Sequence, residues 1–350
     1  MRTALIMAGG TGGHVFPGLA VADVLRERGW HVVWMGTRAG MEARLVAARG
    51  YELAAIRAAA VRGRGVLAAL VLPINLLVGF WQSARAIFRL RPDVVLGMGG
   101  YVAFPGGMMA SLLARPLAVH EQNAIAGLTN RILAGVADKT MSAFPHALKG
   151  AEWTGNPVRD EIAALADPAE RFARRGGPLK LLVVGGSSGA QALNECVPRA
   201  LALLEPRPSV VHQSGEKNYA ALRAAYAAAG VQGELTPFID DVARRYAQAD
   251  LVICRAGAMT VAELSVGGVA SVLVPLPHAV DDHQTANARF LADQGAAILL
   301  PQIDLTPQKL AALLRTLDRP QLLAMARKAR GLGKPDAARI VAERCMELAK

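Results

Sequence analysis

Thr3-Ala-Leu-Ile-Met-Ala8 runs straight into Gly9-Gly10-Thr11-Gly12-Gly13-His14, and Phe16 to Arg28 follows. The first stretch is an apolar run of strand length. In the last, Leu19, Ala20, Val21, Val24 and Leu25 recur at helical spacing. Strand, glycine turn and helix form the opening unit of a nucleotide-binding α/β domain. Four glycines in five residues let the backbone bend sharply and let a ligand come close to it. The helix start behind them offers free N–H groups and a positive dipole end to an anion. His14 closes the loop and places an imidazole where a substrate would approach. The spacing is not the dinucleotide fingerprint, which needs glycine at Val15, and it lacks the Lys-Ser/Thr pair of a P-loop. A tight turn carrying a solvated histidine is the other reading of these residues.

Outward from this loop the strand and helix pattern repeats. Strands are expected at His31–Met35, Leu53–Ile56, Asp93–Gly97, Leu117–His120 and Lys139–Ser142, with helices at Glu42–Arg49 and Met108–Leu113. Met98-Gly-Gly-Tyr-Val-Ala-Phe-Pro-Gly-Gly107 is a second glycine loop at a strand end. Glu121, Gln122 and Asn123 follow the carboxyl end of another strand, where ligands sit in open parallel sheets. Gly155-Asn-Pro-Val-Arg159 reads as a domain joint, beyond which the pattern restarts. Leu179–Val184 leads into a third glycine loop, Gly185-Gly-Ser-Ser-Gly189. Val210–Gln213, Glu234–Phe238, Leu251–Cys254 and Ser271–Val274 supply further strands. The fold class is therefore α/β, with two Rossmann-like, doubly wound domains expected to face each other across a central cleft. A length of 350 residues suits two such domains.

The second half carries its own constellation. Cys254-Arg-Ala-Gly-Ala-Met-Thr-Val-Ala-Glu263 follows a strand and enters a helix; small residues at a helix start beside an arginine make a diphosphate seat. Glu263, about a turn inside, is placed either to accept hydrogen bonds from ribose hydroxyls or simply to favour the helix start. Asp281, Asp282, His283, Gln284 and Asn287 form a polar cluster suited to sugar hydroxyls or to a solvated cap. His278, Asp281 and His283 imitate a metal site, but nothing nearby completes a tetrahedral set, and no metal or cofactor is expected.

Hydrophobic residues make up 53% of the chain, which argues for well-buried domains and against disorder. The three cysteines are scattered, without disulfide or zinc spacing, which fits a reducing cytoplasm, and with the first strand starting at Thr3 no signal peptide is expected. The net charge of +11 is uneven: residues 1–158 carry 16 Lys/Arg against 8 Asp/Glu, and residues 159–350 carry 23 against 20. Leu53 to Pro92 has no acidic residue but holds Arg57, Arg62, Arg64, Arg85, Arg89 and Arg91. Nucleic acid or an anionic membrane surface would each explain such a patch. With 5% aromatics and no binding motif, nucleic acid is not an expected partner. Val66 to Trp81 is apolar nearly throughout, but its 16 residues with Pro73 and Asn75 inside fall short of a spanning helix. It reads as a helix in the membrane interface or as a buried core helix.

Five ordered motifs extend over nearly the whole chain: GGTGGHVFPGLAVA (9–22), GMGGYV (97–102), HEQNAIAGLTN (120–130), GNPVR (155–159) and CRAGAMTVAE (254–263). Together they resemble the MurG family of peptidoglycan N-acetylglucosaminyltransferases, glycosyltransferases of family 28. The resemblance implies a GT-B fold, with an acceptor- and membrane-associating domain over 1–156, completed by a C-terminal helix at 335–350, and a donor domain over 157–334. It implies transfer of N-acetylglucosamine, with inversion, from its UDP donor to the 4-hydroxyl of the muramoyl sugar of lipid I, giving lipid II and UDP. On that pattern Phe238 and Ile239 line the uracil, Arg159 and Ser187 reach the nucleotide or diphosphate, and Glu263 binds the ribose. Ala258, Met259 and Thr260 serve the phosphates, and Asn123, His283 and Gln284 contact the sugar. Thr11, Gly12, Gly13 and Tyr101 in the first domain's glycine loops cradle the acceptor diphosphate. His14 is the preferred general base, because histidine changes charge near neutral pH, and Glu121 is the rival. The basic apolar stretch 62–91 docks on the cytoplasmic leaflet of the inner membrane, with cell-wall synthesis proteins as further partners. The sequence departs from the family pattern at Ser188 and in having His283 before Gln284.

Two other enzyme classes compete. A nucleotide-sugar 2-epimerase of the same fold would need no basic apolar surface. A nicotinamide-dependent oxidoreductase would need G-x-G-x-x-G, which both halves lack.

Overall fold

The computed structural model describes residues 1–58, 66–186, 189–277 and 282–349, with the side chains of 66–72 excepted. The chain forms two compact units, Met1–Val158 with Pro335–Lys350, and Arg159–Lys334.

In the first unit the order is β1 (Thr3–Met7), α1 (Gly12–Glu27), β2 (His31–Gly36), α2 (Met41–Ala48), β3 (Glu52–Ala55) and α3 (Val66–Leu90). It continues with β4 (Val94–Gly97), α4 (Ala103–Leu112), β5 (Leu117–Glu121), α5 (Leu128–Leu133), β6 (Lys139–Ser142) and β7 (Glu152–Trp153). All seven strands are parallel, in the order β3-β2-β1-β4-β5-β6-β7. The central strands β1 and β4 bury nearly every residue because helices cover both faces, which is why they read as continuous apolar runs.

The second unit begins with α6 (Asp160–Ala163), α7 (Pro168–Ala173), β8 (Lys180–Val184), α8 (Gln191–Leu201), β9 (Ser209–Gln213), α9 (Tyr219–Ala228) and β10 (Glu234–Thr236). It continues with α10 (Val242–Gln248), β11 (Leu251–Cys254), α11 (Ala258–Gly267), β12 (Ser271–Leu273) and α12 (His283–Ala292). It closes with β13 (Ile298–Leu299), α13 (Pro307–Arg315) and α14 (Arg319–Leu332). Its six strands are again all parallel, in the order β10-β9-β8-β11-β12-β13. Two doubly wound parallel-sheet units of this kind are the architecture of GT-B glycosyltransferases. β7 and β13, of two residues each, are too short to show a period in the sequence.

The final helix, α15 (Ala337–Leu348), packs in the first unit. Val341, Ala342 and Cys345 join Leu19, Ala22 and Leu25 of α1 in one core cluster on one face of the sheet. Its anchor is ionic: Arg344 donates from Nε and Nη2 to the Glu152 carboxylate at 2.9–3.1 Å, and Lys139 Nζ adds a contact at 2.8 Å. The Arg344 hydrogen bonds, then those of Lys139, hold the Glu152 carboxyl down at about 2. A carboxyl depressed in the fold contributes stability above its unfolded pKa near 4.5 and loses it as the pH falls toward about 2. We therefore expect Glu152→Gln to lower the unfolding midpoint by a few degrees at pH 7, and the gap from wild type to narrow progressively on acidification from about pH 5 toward pH 3. A gap that stays constant with pH would remove the ion pair as its cause.

Three helices differ from expectation, the first being α4, which starts at Ala103 rather than Met108, so that Ala103–Gly107 of the second glycine loop are helical. α1 starts at Gly12 rather than Phe16, because the Thr11 carbonyl accepts the N–H groups of His14 and Val15 at 3.1 and 3.2 Å. His14 therefore sits in the first helical turn instead of in a free loop. α3 runs well past Trp81 to Leu90. It buries Gly79, Ser83 and Ile87 at four-residue spacing and leaves Ile74, Leu77, Trp81 and Phe88 exposed by 61–70%. It is thus half core helix and half exposed apolar face, and neither sequence reading alone describes it. No helix among the described residues is long and apolar enough to cross a membrane.

Candidate functional site

In each unit the strand order reverses once, between β1 and β4 and between β8 and β11. In open α/β sheets the carboxyl ends of the strands flanking such a reversal form the ligand crevice. All four of those ends carry residues singled out in the sequence: 9–11 and the start of α1 after β1, 99–101 after β4, 185–186 after β8 and 255–257 after β11.

In the first unit the two glycine loops lie against each other. Gly100 has φ +80°, and a Cβ there would sit 2.3 Å from the Gly9 carbonyl oxygen. A Cβ on Gly99 would come within 3.2 Å of the His14 ring, and the Tyr101 ring covers Gly10 at a similar distance. Glycine is thus required for the contact, and the contact seats the imidazole. His14 Nδ1 lies 3.3 Å from the Gly9 carbonyl and 3.2 Å from Thr11 Oγ1. A carbonyl only accepts, so a hydrogen bond to Gly9 requires the tautomer with the proton on Nδ1 and the lone pair on Nε2. The N–H groups of Gly12 and Gly13, in the first turn of α1, have no intrahelical acceptor. Thr11 is exposed beside them.

Glu121 ends β5 and is buried. Oε1 accepts from Asn123 N and Nδ2 at 2.8 and 3.3 Å, and Oε2 from Gly127 N and Asn130 Nδ2 at 3.1 and 2.9 Å. Four donors leave this carboxylate organising the 122–127 loop, including Asn123, and the first turn of α5 instead of reaching out of it. Asn130 Nδ2 also borders Gly99, where an added Cβ would meet both it and the His14 ring.

Glu42 is missed by the sequence reading. It is fully buried, takes the N–H and hydroxyl of Thr37 on Oε1 at 2.9 and 2.7 Å, and takes Gly10 N on Oε2 at 3.4 Å. Cβ atoms at Gly9, Gly36 or Gly40 would collide with it, so three glycines make the hole for one carboxylate. Those glycines are the signal that would have found it.

In the second unit α11 starts after Gly257, leaving the first-turn N–H groups of Ala258, Met259 and Thr260 at the strand end. Glu263, one turn further, is largely buried; Arg159 Nη2 donates to Oε1 at 3.0 Å and Tyr246 Oη to Oε2 at 3.5 Å. Burial raises the Glu263 pKa, against the pull of Arg159. Tyr246 is not foreseen from the sequence, nor is Arg171, which caps the far end of α11 by donating to the Gly267 and Gly268 carbonyls at 2.6 and 2.5 Å. Arg255 corrects an expectation: its guanidinium turns away to the carbonyls of Val274 and Pro275 and to Gln302 Oε1, so any diphosphate seat here is made of main-chain N–H groups. Gln284 Oε1 accepts from Leu276 N at 2.9 Å, and the buried Asn287 donates to the Ala256 carbonyl. His283 starts α12, half-buried. Phe238 is half exposed beyond β10, with Ile239 half-buried next to it. Ser187, Ser188, His278 and Asp281 lie outside the described residues, as do Arg62 and Arg64 of the basic stretch. Among the described residues no cluster of His, Cys, Asp and Glu could hold a metal ion.

Family models match both halves: the glycosyltransferase family 28 N-terminal domain over residues 4–142 and its C-terminal domain over 180–341. The chain belongs to glycosyltransferase family 28. Family 28 relatives match it end to end. A UDP-N-acetylglucosamine--N-acetylmuramyl-(pentapeptide) pyrophosphoryl-undecaprenol N-acetylglucosamine transferase of Aromatoleum aromaticum is 65% identical, covering 100% of this chain and 98% of the relative. The enzyme of the same name from an Azoarcus species is 64% identical over 100% and 99%. The crystal structure of Acinetobacter baumannii MurG superposes with a TM-score of 0.88 at 42% identity, covering 99% of this chain and 100% of that one.

Proposed function

We propose that this family 28 enzyme transfers N-acetylglucosamine from UDP-N-acetylglucosamine to the muramoyl 4-hydroxyl of lipid I, with inversion, giving lipid II and UDP. The observation that carries the chemistry is the His14 imidazole, seated where the two glycine loops of the first unit meet, with its Nδ1 3.3 Å from the Gly9 carbonyl oxygen. The acceptor 4-hydroxyl oxygen attacks the anomeric carbon from the face opposite UDP, its proton passes to His14 Nε2, and the bond to the UDP oxygen breaks. Glu121 is a positioning residue in this reading. The acceptor diphosphate is held by Thr11, Gly12, Gly13 and Tyr101, and the donor by the second unit. There Ala258, Met259 and Thr260 serve the phosphates, Glu263 the ribose, Phe238 and Ile239 the uracil, and Arg159 and Ser187 the nucleotide. Asn123, His283 and Gln284 serve the sugar.

Transfer of labelled N-acetylglucosamine to a short-chain lipid I analogue tests the reaction. Turnover of the donor without any acceptor would point instead to an epimerase on the same fold.

The enzyme works at the cytoplasmic face of the inner membrane as a peripheral protein. The exposed apolar face of α3, with Arg85 over the Trp81 ring at 5.7 Å and Arg89 beside it, supports docking in an anionic interface. Reversing Arg85 and Arg89 to Glu is expected to cut sedimentation with anionic vesicles several-fold. Undiminished sedimentation would make this face merely solvated.

A further inference from the structure

Two cavities of about 620 and 440 Å³ adjoin in the first unit, sharing Arg38, Ala55 and Gln82. One wall of the resulting groove is the stretch 53–58, which is β3 and its continuation, and the other is α3.

β3 is an edge strand, paired with β2 alone. Ile56 N–H points inward to the Gly36 carbonyl at 2.9 Å, so strand alternation turns the N–H groups of Ala55 and Arg57 outward. Gln82 Oε1 already accepts the Arg57 N–H at 2.5 Å, standing where a neighbouring strand's carbonyl would stand. An extended chain laid in the groove can continue that pairing along the edge.

The groove is cationic. Arg38 and Arg57 are exposed, and among the described residues neither guanidinium has a hydrogen-bonding or ion-pair partner. The Glu52 carboxylate at the β3 end already faces Arg89 at 3.6 Å. The groove also lies next to the acceptor loop. Thr37 lines the larger cavity and donates to Glu42 Oε1, while Glu42 Oε2 holds Gly10 N–H, so one carboxylate bridges the cavity wall and the glycine loop.

We propose that the larger cavity, whose lining does not include the membrane-facing Trp81, Arg85 and Arg89 that border the smaller one, is the subsite for the acceptor's peptide arm. The peptide lies extended along the open edge of β3, with carboxylate groups, the terminal one included, on Arg38 and Arg57. This rests on the acceptor assigned under Proposed function.

The test compares two short-chain lipid I analogues, one with its pentapeptide and one with the lactyl carboxyl capped as a simple amide. In Arg38→Gln/Arg57→Gln, kcat/KM for the peptide acceptor should fall about tenfold, through KM. The peptide-free acceptor should be used as by wild type. Arg28→Gln/Arg44→Gln, which removes the same charge elsewhere on the unit, should leave the ratio of the two acceptors intact. Equal losses on both acceptors, or none, would overturn the proposal. So would unchanged acceptor kinetics with lost sedimentation on phosphatidylglycerol vesicles, which would give the groove to a lipid headgroup. If wild type transfers to neither acceptor, the acceptor assignment itself falls and this subsite with it. The arginines are exposed, so an unchanged unfolding midpoint is expected to accompany the kinetic effect.

Discussion

His14→Ala should lower kcat by about 10²–10⁴ while leaving UDP affinity within a factor of about two, the range that loss of a general base commonly produces. The two readouts separate because every group proposed for the nucleotide lies in Arg159–Lys334, whereas His14 sits in the other compact unit. Within its own unit the ring is held by the Gly9 carbonyl, by Thr11 and by the close faces of Gly99 and Gly100. Removing it takes away the proton acceptor proposed for the reaction. His14→Gln keeps the hydrogen bond to Gly9 through the side-chain amide but has no basic nitrogen, so it should be nearly as slow as alanine. Thr11→Val removes one partner of Nδ1 and keeps the Gly9 carbonyl, and a loss of only a few-fold is expected. Turnover of His14→Ala close to wild type would exclude the imidazole. Loss of UDP affinity in parallel with turnover would instead mean that the substitution disturbs the donor unit.

What the sequence made legible was whatever depends on local order. The strand, glycine and helix units at 3–27 and 251–267 are contiguous, and their apolar periods give the parallel, doubly wound units without long-range information. The position of α15 came through resemblance alone, because nothing local in 337–348 says which sheet it covers. Partners that meet from far apart stayed hidden. Glu42 reads as an ordinary acidic residue in a helical first turn, and its burial comes from glycines at 9, 36 and 40. Tyr246 lies in a short helix and meets Glu263 only after folding. Arg255 shows the opposite error: an arginine beside a phosphate-type loop suggested a ligand contact, but nearby carbonyls satisfy it first. A cation near a loop identifies a ligand only if the fold leaves it without a better acceptor.

Glu263→Gln should weaken UDP binding by about 10- to 100-fold in calorimetry, the equivalent of losing charge-assisted hydrogen bonds worth about 1.5–3 kcal/mol. The side chain is held for that task. Arg159 fixes one carboxylate oxygen and Tyr246 the other, so the ligand meets an oriented acceptor pair in a largely buried place. Glutamine keeps the shape but replaces one acceptor by a donor, and one ribose hydroxyl then loses its partner. Wild type should bind 2′-deoxy-UDP more weakly than UDP, and in Glu263→Gln that preference should largely disappear. Tyr246→Phe should reduce it in part, because the carboxylate stays but loses one of its two holders. The pH dependence follows from burial, which raises the Glu263 pKa above the ordinary carboxylate value. Binding needs the carboxylate as acceptor, so UDP affinity should fall on the acid side at a higher pH than for an exposed glutamate, and the glutamine variant should lack that fall. If Glu263→Gln binds UDP and 2′-deoxy-UDP with wild-type affinities, the carboxylate belongs to the Arg159 and Tyr246 cluster alone. The ribose must then be read elsewhere along the loops after β8 and β11.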